Sequence, residues 1–129
     1  MVRAVLVVED DPSTLSGYVE FLTGAGFLAT GFADPAHALA VAFDTPPAAV
    51  VTDITMPGMD GFALAKALHL DDRTKHVPVI GLTANWYAEV KTRAAAVAMR
   101  TVLLKPCSPS HLVAELERVL LPLATRDNP

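Results

Sequence analysis

The sequence predicts an α/β domain built on one open sheet of five parallel strands with helices on both faces. Three observations carry that reading. Five short apolar runs alternate with five stretches of helical spacing. The runs are apolar at consecutive positions rather than at every second one, the pattern of strands covered on both faces. Parallel neighbours need a crossover between them, and each run is followed by a helix able to provide one. At 129 residues, 52% of them hydrophobic, the chain fits a single domain that buries a core without staples.

The first strand is "RAVLVV", Arg3 to Val8, a β-branched-rich run that stops at three acids. A helix follows from Pro12, with Leu15, Val19 and Leu22 on one face and Gly24 and Gly26 as the stop. "FLATGF" (27–32) reads as the second strand. "DPAHALAVAF" (34–43) reads as a helix, with Asp34 as cap and Pro35 in the first helical position. "AAVV" (48–51) is the third strand. A helix over Phe62–Leu70, a strand "VPVIGLT" (77–83), a helix over Tyr87–Met99, a strand "TVLL" (101–104) and a helix over His111–Leu121 complete the alternation. The Pro57-Gly58 pair is a turn signal, and Asp60 or Gly61 serves the next helix start. The segment "ATRDNP" (124–129) is a polar tail.

Composition narrows the function classes. The formal net charge is −4, and Lys and Arg are scattered, so direct nucleic-acid binding has no electrostatic footprint. No apolar stretch approaches the ~18 residues of a membrane span, and no secretory leader is read. The single cysteine, Cys107, excludes an internal disulfide framework and suits a reducing compartment. The expectation is a cytoplasmic protein. Cys107 is read as an inert thiol, and His37, His69, His76 and His111 as neither ligands nor phosphodonors.

In an open parallel sheet, ligands collect beyond the carboxyl ends of the strands. At that rim stand Glu9, Asp10 and Asp11 after the first strand, Asp53 after the third, Thr83 after the fourth and Lys105-Pro106 after the fifth. Gathered carboxylates repel by about 4 kcal/mol per pair at ~4 Å and an effective dielectric near 20, so they call for a cation. Oxygen ligands without His or Cys favour a hard ion, and Mg2+, which accepts one or two carboxylates plus a substrate phosphate, fits best. A carboxylate beside a metal, an ammonium and a hydroxyl suits phosphoryl transfer, with Asp53 as the nucleophile.

Four motifs carry a family resemblance: "VVEDD" (7–11), "DITMPGMDG" (53–61), "GLTA" (81–84) and "LLKP" (103–106). In this order and at these spacings the chain resembles the receiver domains of two-component response regulators over about residues 3–121. The resemblance implies a flavodoxin-like (βα)5 fold with strand order 2-1-3-4-5, and a receiver over residues 1–123 followed by the tail. Position by position it implies that Asp53 is the phosphoacceptor and that Asp10 ligates Mg2+ directly, with Glu9 acting through water. The Thr55 carbonyl matches the backbone metal ligand. Thr83 matches the hydroxyl that moves towards the phosphoryl oxygens, Lys105 the lysine that pairs with them, and Pro106 a proline that follows a cis peptide. The implied partners are a sensor histidine kinase or histidine phosphotransfer protein on one side and an output domain or target protein on the other. The implied state is a monomer or weak dimer.

Two positions depart from the pattern. Many relatives carry an aromatic three residues before the lysine, where this chain has Val102. Many have glycine in the turn before the last strand and acids at its start, where this chain has Ala98, Arg100 and Thr101, which removes acids that serve one common dimer interface. Plainer roles stand beside the functional ones. Asp11 before Pro12 is a helix cap, Asp53 alone could start a turn, and Asn85, beside Trp86 and Tyr87, could tune water access. One alternative is a phosphorylation-independent module that keeps the fold but not the switch. Another is a phosphatase of the haloacid dehalogenase type, whose second acid two residues on is replaced here by Thr55. The expected activity is confined to the domain's own phosphorylation and dephosphorylation.

Overall fold

The computed structural model describes residues 2–56, 58–85 and 88–121; the readings placed on Pro57, Trp86, Tyr87 and the 124–129 tail lie outside them. In chain order the elements are β1 (Ala4–Val8), α1 (Pro12–Gly24), β2 (Leu28–Phe32), α2 (Pro35–Asp44), β3 (Ala49–Asp53), α3 (Gly61–Leu70), β4 (Val79–Thr83), α4 (Ala88–Ala96), β5 (Thr101–Leu104) and α5 (Pro109–Val119). The strands form one sheet in the order β2-β1-β3-β4-β5, with every neighbour pair parallel. The fold class and strand order are those expected.

Side chains alternate across each strand, so one apolar run feeds two cores. Leu6, Val8 and Val50 face α2 and α3, where Leu64 and Leu68 close the layer. Val5, Val7, Val51, Ile80 and Leu82 face the other way, onto Leu22 of α1 and Leu112 and Leu116 of α5. Each fully buried Leu or Ile contributes about 1.5–3 kcal/mol. β3, in the middle of the sheet, is buried along its whole length, including its terminal carboxylate, Asp53.

The helices begin where their caps stand. Asp11, Asp34, Asp60 and Ser108 accept from the backbone N–H groups of Thr14, Ala36, Ala63 and His111 at 2.9, 3.0, 2.9 and 3.2 Å. Pro12, Pro35 and Pro109 follow three of these caps, where a missing N–H costs nothing. The Ser108 cap starts α5 two residues before the expected His111. β3 runs on to Asp53 rather than stopping at Val51.

The face of α1 that packs on the sheet carries Leu15, Val19 and Leu22, as read, with Tyr18 added. Tyr18 and Leu22 are its buried residues, while Leu15 and Val19 are only half-buried.

The largest boundary correction is at α4, which ends at Ala96 instead of Met99. There the N–H of Met99 donates to Ala94 O at 2.9 Å and that of Ala98 to Ala95 O at 3.2 Å, with Ala98 at φ 60°. This is a Schellman ending whose left-handed position holds alanine rather than glycine.

Candidate functional site

Sheet register sets the site. Val8 pairs with Thr52, Asp53 with Leu82 and Thr83 with Leu104, so β1, β3, β4 and β5 end at one level. Backbone bonds extend that alignment past the strands: Glu9 N–H donates to Phe32 O at 3.0 Å and Lys105 N–H to Thr83 O at 2.7 Å. The close of the "DITMPGMDG" motif has a steric reason. A Cβ on Gly61 would lie 2.6 Å from Asp53 O and 2.8 Å from Ile54 Cα, so only glycine lets α3 start against the backbone that carries Asp53.

The rim brings together Glu9, Asp10, Asp53 and Lys105. Glu9 and Asp53 are buried, at 1% and 7% exposure. Lys105 Nζ bridges them, 2.7 Å from Glu9 Oε1 and 3.1 Å from Asp53 Oδ2. The remaining oxygens accept backbone donors: Glu9 Oε2 from Asp11 N–H and Asp53 Oδ1 from Thr55 N–H, both at 3.3 Å. Asp10 is exposed and lies with the other two acids, each of the three offering a carboxylate oxygen within 4.8 Å of the others.

Three carboxylates against one ammonium leave a charge of −2, which a divalent cation would neutralise. The donors are all oxygen, as a hard cation requires. Burial opposes charge on Lys105, but its hydrogen bonds to Glu9 and Asp53 and their attraction prevail and raise its pKa.

Other expected residues take different places. Thr83 is buried, and its hydroxyl is engaged by its own loop: it donates to Asn85 O at 3.0 Å and accepts from Asn85 N–H at 3.2 Å. Thr55 and Asn85 are exposed and share with Thr83, Met56, Asp60 and Arg93 the wall of a cavity of about 330 Å³. Asp11 caps α1, as the plainer reading expects. The Lys105–Pro106 peptide is cis. Val102 is half-buried and packs against the α2/α3 core. Cys107 is a buried free thiol, held protonated by burial and by the nearby Glu115 carboxylate. Among the described residues, Glu9, Asp10 and Asp53 form the one acidic group able to hold a metal ion, and it includes no histidine.

Two residues absent from the sequence reading matter here. Tyr18 O–H donates to Cys107 O at 3.0 Å, across the turn that follows Lys105. Its three-residue offset from Leu15 and four-residue offset from Leu22 was the available signal. Arg93 of α4 lies over the Phe62 ring at 4.2 Å and 3.8 Å from Asp60 Oδ2, joining α4 to the first turn of α3. No local pattern marks that contact, because it depends on how two helices sit.

Residues 5–117 match the family model of the response regulator receiver domain. The chain belongs to this family. The receiver is 31% identical over 118 residues to the phosphate regulon transcriptional regulatory protein PhoB of Pseudomonas aeruginosa, covering 92% of the chain and 52% of PhoB. It is 34% identical over 121 residues to the DNA-binding transcriptional regulator NtrC of Escherichia coli K12, covering 93% of the chain and 25% of NtrC. The receiver thus spans about half the length of PhoB and a quarter of NtrC.

Among solved structures, it superposes on the chemotaxis protein CheY4 of Vibrio cholerae with TM-score 0.88 at 32% identity, covering 92% of the receiver and 99% of CheY4. It also matches the receiver domain of the sensor histidine kinase PA1611 of Pseudomonas aeruginosa PAO1, with TM-score 0.84 at 26% identity over 93% of this chain and 98% of that one. That structure has a magnesium ion coordinated in the active-site cleft. Among the described residues of the receiver, no helix is long and apolar enough to cross a membrane.

Proposed function

We propose that this receiver, over residues 1–123, is a phosphorylation-driven switch with Asp53 as its phosphoacceptor. The observation that carries the reading is the environment of Asp53: a nearly buried carboxylate at the end of a rigid strand, 3.1 Å from an ammonium and beside two further acids. The donor is the phosphohistidine of a sensor histidine kinase or of a histidine phosphotransfer protein. An Asp53 carboxylate oxygen attacks phosphorus, the N–P bond breaks, and the imidazole leaves with its electron pair and takes a proton. Lys105 pairs with the phosphoryl oxygens, and the Thr83 hydroxyl turns from Asn85 towards them.

Asp10, Asp53 and the Thr55 carbonyl would hold Mg2+, with Glu9 acting through water. Bound there, the ion supplies the divalent charge that offsets the phosphoryl oxygens. Asn85, on the cavity wall, sets water access to the acyl phosphate.

The product is a change of shape. When Thr83 turns, the 84–85 loop follows, and α4 with it; the face of α4, β5 and α5 presents the result to an output domain or target protein. Two features favour α4 as the mobile part: Ala94 is its buried residue, and it closes on a left-handed alanine. The contacts of its exposed Arg93 with Phe62 and Asp60 are the ones that this movement has to break or remake. Val102 in place of an aromatic means that this movement does not use a rotating ring on β5. We place the switch in the cytoplasm as a monomer or weak dimer, acting on nothing but its own acyl phosphate.

Incubation with acetyl phosphate and magnesium tests the reading by intact mass. The wild type is expected to gain one phosphoryl group, lost with EDTA and absent from Asp53→Asn. A wild type that binds its target equally well without that gain would instead support the phosphorylation-independent module.

A further inference from the structure

The turn that carries Lys105 is clamped from two sides. From β4, Thr83 O accepts the Lys105 N–H at 2.7 Å. From α1, the Tyr18 hydroxyl donates to the carbonyl of Cys107, two residues beyond Lys105, at 3.0 Å. Tyr18 is buried, and its partner lies 89 residues away in the chain. β5 is an edge strand, so the sheet holds Lys105 from one side only, and the last strand residue, Leu104, is 54% exposed. The turn has room to move, because Tyr18, Thr14, Ala84, Lys105, Pro106 and Cys107 border a cavity of about 320 Å³.

We propose that Tyr18 is a positioning residue for Lys105: its hydroxyl fixes the 105–107 turn so that Nζ stays between Glu9 and Asp53. Burial, and then the neighbouring Cys107, raise the Tyr18 pKa, so the phenol stays a donor through neutral pH. The hydroxyl touches no reacting atom and acts only through Lys105. The inference rests on the reading of Asp53 and Lys105 given above.

The test compares the wild type with Tyr18→Phe, which removes the donor and keeps the ring. Phosphorylation rate with acetyl phosphate and magnesium is followed together with the NMR signals of the Lys105 ε-methylene. Tyr18→Phe is expected to lower the rate about two- to tenfold, the range one neutral hydrogen bond supports, and to move the Lys105 signals towards those of a solvated lysine. In a Lys105→Ala background the same change is expected to alter the rate no further, as an effect routed through Lys105 requires.

A wild-type rate and unmoved Lys105 signals in Tyr18→Phe would overturn the inference, even with lowered stability, because the bond would then only satisfy a carbonyl. An equal loss in the Lys105→Ala background would also overturn it. 4-Fluorophenylalanine at position 18, of similar size and without the donor, makes the same comparison should Tyr18→Phe unfold. Failure of the underlying reading shows separately, as an Asp53→Asn variant that is phosphorylated like the wild type. The Lys105 signals then decide the positioning role alone.

Discussion

Replacing Lys105 with methionine keeps the stem of the side chain and removes the charge that spans Glu9 and Asp53. At 2.7 and 3.1 Å and an effective dielectric near 20, the two contacts supply about 6 and about 5 kcal/mol of gross attraction. Desolvating the ammonium and ordering its side chain take back much of this. What remains is the cost of leaving two buried carboxylates unpaired, about 3–5 kcal/mol for a fully buried pair. The Lys105 side chain is 23% exposed, so the lower end, about 3 kcal/mol, is expected.

Urea unfolding at pH 7 without divalent ions measures the difference. Millimolar magnesium is expected to narrow it, because the variant site carries a charge of −3 and gains more from a cation than the wild type does. A variant as stable as the wild type in EDTA would refute the claim that Lys105 neutralises this cluster.

The same ammonium gives an alkaline signature. With its folded pKa raised above the ordinary 10.5, Lys105 contributes in full below that pH and loses its contribution as pH climbs through the folded value. The wild-type advantage over Lys105→Met should therefore be flat through neutral pH and shrink above about 10.5 in unfolding titrations; an advantage that persists unchanged would contradict the linkage. Gly61→Ala places a methyl against Asp53 O and Ile54 Cα at 2.6 and 2.8 Å, both backbone atoms that cannot swing away. It is expected to cost about 2 kcal/mol in urea unfolding and to slow phosphorylation, and a neutral result would mean that α3 does not brace Asp53. Ala98→Gly relieves the left-handed alanine that ends α4 and is expected to stabilise by about 0.5–1 kcal/mol, an effect a loss of stability would refute.

The sequence and the structure agree where local chemistry and chain order suffice. Alternating runs and crossovers announce the parallel sheet, and Asp34-Pro35 announces its helix start, because each is decided within a few residues. Glu9, Asp10, Asp53 and Lys105 were legible as a group because strand ends in such a sheet share one rim. The end of α4 was not, since an alanine at φ 60° occupies a left-handed position that glycine usually marks. Tyr18 was missed because an aromatic on an apolar helix face reads as core. Only the fold shows that its hydroxyl meets a carbonyl 89 residues away. The present partners of Thr83 were also beyond reach: a hydroxyl that bonds within its own loop looks, in sequence, like one aimed at a ligand.

The central claim is that the carboxylate of Asp53 is the atom group that takes the phosphoryl. Borohydride trapping tests it most directly, since reduction of an aspartyl phosphate leaves homoserine at that aspartate and reduction of a glutamyl phosphate leaves 5-hydroxynorvaline at that glutamate. After treatment with acetyl phosphate and magnesium, homoserine is expected at Asp53 in the 48–62 stretch, and none in protein kept in EDTA. Homoserine at Asp10, 5-hydroxynorvaline at Glu9, or no reduced residue at all in protein that has gained a phosphoryl mass, would contradict it.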